Sequence, residues 1–321
     1  MRHAKAVALI LLAVSMTIAS VQAQPEHWPG RTVKIVLPLP VGGGTDLAAR
    51  LFAERLSQRW RQPVVVENRP GVDGIVGVTS FVNSHDDHTL LFSFAGPISI
   101  NPFVHETLPY DPARDLVPIA PAIDNFFGIA VSKSLGAQSL DSFIEMARGH
   151  PGKFNWAATA GLPRYIFLAL QKKTDLAMTE VPYRDVALAL QDLAEDRIQV
   201  LVTTPSVMLA LIESGDAKLL MVTNRERSPL APTVPTAEEA GYPELTFDGI
   251  VGFYGWRDMP AALRDRIAKD VGAVAKEPEI NSRLRSVGVA VRSGTPAQFS
   301  AAIDEQREKV RAIVPAAKVV R

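Results

Sequence analysis

Val33-Lys34-Ile35-Val36-Leu37, followed by Pro38-Leu39-Pro40-Val41-Gly42-Gly43-Gly44-Thr45-Asp46, sets the reading of the whole chain. The first five residues form a buried strand, and the Pro- and Gly-rich stretch after them is a turn. Thr45 is the expected N-cap of a helix. Leu47, Leu51, Phe52 and Leu56 then fall on one helical face, with Arg50, Glu54 and Arg59 opposite. Glycines in such a turn let backbone N–H groups converge without side chains in the way, and a helix start adds its positive dipole end. Together they offer a site for a carboxylate without requiring Lys or Arg. The same residues also suit a plain tight connection in which Asp46 serves only its own helix. A nucleotide phosphate loop is disfavoured, because no Gly-Lys-Ser/Thr ending follows.

The strand–turn–helix rhythm continues outward from this turn. Val64-Val65-Val66 and Thr89 to Phe94 read as strands. After a Pro-rich stretch, Pro109 to Pro121, further strands are expected at Gly128–Val131, Asn155–Ala158, Met178–Val181, Val200–Thr203, Leu219–Val222 and Ile250–Tyr254. Ala261 to Ala275 and Pro296 to Ile313 read as long amphipathic helices. Unalternating apolar strands joined by helices indicate parallel sheets covered on both faces. Two such units without a flexible linker suggest two lobes joined by crossing strands. Ligands of such sheets bind outside the carboxyl ends of the strands.

Composition narrows the function classes. The 321 residues include 34 basic and 34 acidic side chains, so there is no basic surplus for a nucleic-acid partner. Cysteine is absent, which excludes disulfides, thiolate metal sites and a Cys nucleophile. Arg2, His3 and Lys5, the apolar run Ala6 to Val14 and the small residues around Val21-Gln22-Ala23 read as a cleavable signal peptide, residues 1–23. Export to the periplasm is therefore expected. His85-Asp86-Asp87-His88 is a cluster with metal-like side chains; it lacks H-E-x-x-H order and reads as a capped, solvated corner, so no metal site is expected. No G-x-S-x-G elbow is present, and no catalytic residues are assigned. Trp156 and Trp256 are expected in the core or beside the hinge.

Beyond the first turn, Glu67-Asn68-Arg69-Pro70-Gly71 with Gly74 and Gly77, Ile100-Asn101-Pro102 and Leu108-Pro109-Tyr110-Asp111-Pro112 follow in order. Val181-Pro182-Tyr183, Arg227-Ser228-Pro229, Val234-Pro235-Thr236 and Glu239-Ala240-Gly241 complete the series. With the Pro38 to Asp46 stretch, this series resembles the tripartite tricarboxylate transporter substrate-binding family, the Bug receptors. The resemblance implies an α/β, two-lobed periplasmic binding protein of type II-like architecture, each lobe a sheet flanked by helices with the ligand cleft between them. Residues 24–124 and 246–321 are expected to form lobe one and residues 125–245 lobe two. It also implies a monomeric receptor without cofactor, capturing a small, anionic organic acid or related metabolite for membrane transporter subunits.

The residues assigned to the ligand are Pro40, Val41, Gly42, Gly43, Gly44, Thr45, Asp46, Asn68, Phe94 and Ala95 in lobe one. In lobe two they are Thr159, Gly161, Arg164, Tyr165, Tyr183 and Thr204. Asn68 reads equally as cleft wall or as part of a close-packed turn. In lobe two the sequence departs from the family pattern. The loop Ala157 to Tyr165 is shortened, with Tyr165 at the usual His position and Ala169 at the usual Glu position. Arg184-Asp185 stands for Lys-Gly, and Thr203-Thr204 for Asp-Asn. Arg164 is free either to pair bidentately with a distal carboxylate or to point into solvent. A standard dicarboxylate is therefore not assumed. A sensory receptor facing a signalling partner, and an exported hydrolase without recognisable motif, are the competing function classes.

Overall fold

A computed structural model describes residues 28–159, 161–228 and 231–318. The segment read as a signal peptide lies outside them. Among the described residues, no helix is long and apolar enough to cross a membrane.

The strands, in chain order, are β1 (Val33–Leu37), β2 (Val64–Asn68), β3 (Thr89–Ser93), β4 (Leu116–Asp124), β5 (Gly128–Ser132), β6 (Asn155–Ala158), β7 (Thr179–Glu180), β8 (Val200–Thr203), β9 (Ala217–Val222), β10 (Ile250–Trp256) and β11 (Ala290–Val291). They form two sheets, ordered β11-β4-β10-β3-β1-β2 and β7-β6-β8-β5-β9. The longer helices are α1 (Gly44–Trp60), α2 (Ile75–Val82), α3 (Leu140–Gly149), α4 (Leu162–Thr174), α5 (Val186–Ala194), α6 (Pro205–Ser214), α7 (Ala261–Ala275), α8 (Pro278–Arg285) and α9 (Pro296–Lys318).

The sheets are mixed, which corrects the expectation of parallel sheets. In the first, β10 runs antiparallel to both β3 and β4; in the second, β5 runs antiparallel to both β8 and β9. Burial explains the misreading. Every residue of β3, β5 and β8 is buried, and a strand covered on both faces carries no mark of its direction. Successive residues still alternate between cores. Ile35 and Leu37 meet α1 and α7 on one face, while Val36 meets α2 and α9 on the other. In lobe two, Val200 and Val202 meet α3 and α4, and Leu201 meets α5 and α6.

The sequence reading missed β4, placing Pro118 and Pro121 in a connecting stretch. Proline cannot donate to a ladder, so a central strand must slip around it. The β10–β4 register shifts twice, and Gly252 and Tyr254, which follow the two shifts, are the residues opposite Pro121 and Pro118. The crossing from β4 to β5 spans only Asn125, Phe126 and Phe127. Trp256 pairs with Leu116, at the end of β10 remote from the crossing, so it does not line the hinge. Trp156 lies in the lobe-two core against Phe167.

Helix α9 bridges the lobes. Phe299 and Ile303 pack in the lobe-one core, while Val310, Ile313 and Val314 pack with α3 and α4 of lobe two. This spacing is one apolar stripe along the helix. The C-terminal segment therefore ties both lobes together rather than belonging to the first alone.

Topology fixes where a ligand can sit. β4 runs parallel to β1 and β3, so its carboxyl end, which leads to lobe two, lies with theirs. The start of β5 lies with the carboxyl ends of β8 and β9. The carboxyl ends of both sheets consequently face each other across the crossing.

Candidate functional site

The turn after β1 opens onto this cleft. Gly42 has φ +102°, a conformation that side chains rarely adopt, and Pro40, Val41, Gly42 and Gly43 are exposed. Helix α1 begins at Gly44 with Gly43 as N-cap and no side-chain cap. Thr45 is therefore not the cap. It lies inside the first turn, buried, and its Oγ1 accepts from Asn125 Nδ2 at 3.2 Å, which pins the turn to the crossing.

Asp46 is a buried hub. Its carboxylate accepts the Gly42 N–H at 3.1 Å, Asn68 Nδ2 at 2.8 Å, and Arg50 Nε and Nη2 at 3.1 Å each. Asn68 also donates to the Leu39 carbonyl and accepts from Arg50. Burial pushes the Asp46 carboxyl up, yet the hydrogen bonds from Arg50, Asn68 and Gly42 hold it below its ordinary value. Asp46 and Asn68 thus spend their polar atoms on the loop itself. Sequence reasoning placed Arg50 on the solvent face; the i, i+4 spacing from Asp46 was the signal for this pair. What the network leaves open is backbone. The amides of Gly43, Gly44 and Thr45 donate to no group among the described residues. Three unpaired N–H groups at a helix start form an anion cradle. Behind it, Gly77 brings α2 onto the turn: a Cβ there would stand 2.6 Å from Pro38 Cβ and 2.7 Å from the Arg69 carbonyl.

Phe94 and Ala95 follow β3. The Phe94 ring packs over Gly74 and Gly96, and Ala95 is buried in the lobe-two core.

The lobe-two side is built differently. Thr159 donates through Oγ1 to Thr203 Oγ1 at 3.2 Å, and its amide bonds to the Val202 carbonyl. Gly161, at φ +86°, caps α4, and Pro163 occupies its first turn. Arg164 is partly exposed and paired within lobe two. Its Nε and Nη2 reach the Glu180 carboxylate at 2.6 and 2.8 Å. The Tyr183 hydroxyl donates to Asp192 at 2.5 Å, and burial, with that carboxylate beside it, pushes the phenol up to about 12. Thr204 is the N-cap residue of α6, with its hydroxyl 3.0 Å from Ser206 Oγ. Tyr165 packs partly buried on the lobe-two core under the Arg164 guanidinium. Burial raises its phenol, and the charge of Asp73, on the loop after β2, adds to the rise.

At the hinge, Arg292 Nη1 lies 3.1 Å from Asp124 and 3.2 Å from Asp248, one carboxylate from each crossing segment. Asp124 also accepts the Gly249 amide at 2.7 Å. Burial and the nearby Asp248 push its carboxyl up to about 6 despite Arg292. A cavity of about 450 Å³ lined by Asp124, Asn224, Arg225, Asp248, Val289 and Arg292 lies beside this cluster, not at the turn. The sequence carries no local signal for it, because its members are far apart in the chain.

The His85 to His88 corner is a structural pin. Asp86 accepts from Arg31, the His88 amide and Thr89. His88 Nε2 accepts the Gly30 amide, so its Nδ1–H donates to Asp87.

Comparison with known proteins agrees with this architecture. A family model described as the tripartite tricarboxylate transporter family receptor matches residues 48–319. Protein BugT of Bordetella pertussis (strain Tohama I) is 32% identical over 240 residues, 74% of this chain and 73% of its own. Among solved structures, R. palustris Rpa4515 with adipate superposes with TM-score 0.81 at 28% identity, covering 91% of this chain and 98% of that one. MatC from Rhodopseudomonas palustris with bound malate gives 0.77 at 25%, covering 89% and 100%. The chain belongs to the tripartite tricarboxylate transporter receptor family, and it is a solute-binding receptor with a two-lobed α/β fold rather than an enzyme.

Proposed function

We propose that this receptor captures a small carboxylate in the periplasm and delivers it to the membrane subunits of a tripartite tricarboxylate-type transporter. Residues 1–23 direct its export, and it acts as a monomer. One observation carries the reading: the exposed turn at α1 presents three unpaired amides while the neighbouring acid, Asp46, is neutralised by its own hydrogen bonds. An anion meets donors there and no competing bare carboxylate. The adipate and malate bound by two structural neighbours support the same ligand class.

Pro40 to Thr45 contact the ligand, and Asp46 and Asn68 hold them in place. Thr159, Gly161, Tyr165, Tyr183 and Thr204 supply the facing wall of lobe two. The experiment is a thermal-shift screen of small carboxylates beside their uncharged amides at constant ionic strength. A ligand that binds only the native state raises the melting temperature. Carboxylates are expected to raise it and the matched amides to leave it unchanged; equal shifts, or none from any carboxylate, contradict the proposal.

A further inference from the structure

The exposed apolar side chains are not scattered. Among the described residues, the exposed large hydrophobics are Val41 (69%), Val72 (65%), Leu188 (55%), Val76 (46%), Val65 (42%) and Val207 (37%). Val65 is on the edge strand β2. The other five all follow carboxyl ends of parallel strands, on the two edges that face each other. Val41 is in the turn after β1, Val72 and Val76 are in the loop and first helical turn after β2, and Leu188 and Val207 are in the first turns of α5 and α6. Scattered exposed valines need no explanation, but apolar groups gathered on both walls of one cleft do.

The polar groups of the lobe-two wall point the same way. Arg164 is held by Glu180, Tyr183 by Asp192, Thr159 by Thr203 and Thr204 by Ser206. Two Arg164 nitrogens are spent on Glu180 and the hydroxyls are paired with one another, so a distal carboxylate meets few unshared side-chain donors on this wall. Arg184 is the exception: it makes no ion pair among the described residues and is the group a second carboxylate would seek. An apolar body meets side chains that already lack partners and removes them from water.

From this arrangement we propose that the ligand is a monocarboxylate with an apolar body. Its carboxylate sits on the α1 turn, and its aliphatic or aromatic remainder lies between Val41 and Val72 of lobe one and Leu188 and Val207 of lobe two. The inference rests on the anion-turn reading above and goes beyond it by naming the rest of the molecule.

Two matched pairs test it by calorimetric titration of the full mature chain. Hexanoate and adipate share six carbons and differ at one end, and benzoate and terephthalate share the ring. In at least one pair the monocarboxylate is expected to bind tenfold or more tightly than its dicarboxylate. Val41→Ser and Leu188→Ser are expected to weaken the bound monocarboxylate three- to tenfold, with the melting temperature of the free protein unchanged. Arg184→Ala is expected to leave it within twofold. A dicarboxylate that binds more tightly in both pairs, and loses its advantage in Arg184→Ala, overturns this inference and leaves the anion turn standing. Serine variants that bind the monocarboxylate as well as the parent also overturn it. If no carboxylate of any kind binds, the anion turn itself is wrong and the inference falls with it.

Discussion

The turns that open α1 and α4 are counterparts, one on each wall of the cleft, and they are finished differently. Each follows a parallel strand, contains a glycine at positive φ and lacks a side-chain cap. The lobe-one turn buries its acid under four donors and leaves three amides open. In the lobe-two turn, Pro163 removes one amide and Arg164 closes on Glu180. The contrast teaches that a polar residue in a loop is a ligand group only if the fold leaves it unspent. The α4 start also leaves the Leu162 and Arg164 amides without a partner among the described residues, so the two turns differ in how their side chains are spent rather than in having open amides.

The sharpest way to break the comparison is at Asp46. Asp46→Ala strands the Gly42 amide, Asn68 and Arg50, and should cost about 2–4 kcal/mol of stability in chemical denaturation. Ligand binding should fall with it, since the amides lose their frame. Because the folded carboxyl lies below its ordinary value, the stabilisation is complete above about pH 4 and is lost as the pH falls through the folded value. A variant as stable as the parent would show that the hub does not hold the turn.

Between the two walls stands the hinge acid, with the opposite sign. Asp124 is raised to about 6, so the folded state binds its proton more tightly than the unfolded chain does. Its contribution is full below about pH 4 and is lost as the pH rises through 6, by roughly 3 kcal/mol. Asp124→Asn should remove that decline, seen as flatter denaturation midpoints between pH 4 and 7. Identical pH profiles for parent and variant would contradict it.

The smallest effect is expected at Arg164, where the sequence left ligand pairing and solvent exposure both open. Arg164→Ala removes a partly exposed ion pair, and should change stability by less than about 1 kcal/mol and ligand affinity by less than twofold. A tenfold loss of affinity would put Arg164 on the ligand and erase the difference between the walls.

Much of this was legible in the sequence. The strand–turn–helix rhythm located β1, β6 and β8 at their observed bounds, and the glycine turn after β1 was visible as a turn opening a helix. What stayed hidden was whatever depends on distant partners. Pro118 and Pro121 disguised β4, because register slips against β10 absorb them only in three dimensions. Strand direction was invisible in strands buried on both faces. Thr45 looked like a cap until Asn125 claimed its hydroxyl. The partner of Arg164 was hidden because Glu180 lies on a separate element, β7, and the Asp124–Arg292–Asp248 cluster joins three separate stretches of the chain.

The central claim is that open backbone amides grip the anion, and Gly43→Pro tests it most directly. Gly43 has φ −85°, close to what proline requires, and a Cβ there would meet nothing within 4 Å. The substitution deletes one N–H while sparing the fold. Titration of the best carboxylate from the screen should show Kd raised about tenfold, the loss expected for one hydrogen bond to a charged group, at an unchanged melting temperature of the free protein. An unchanged Kd would mean that the carboxylate is held elsewhere.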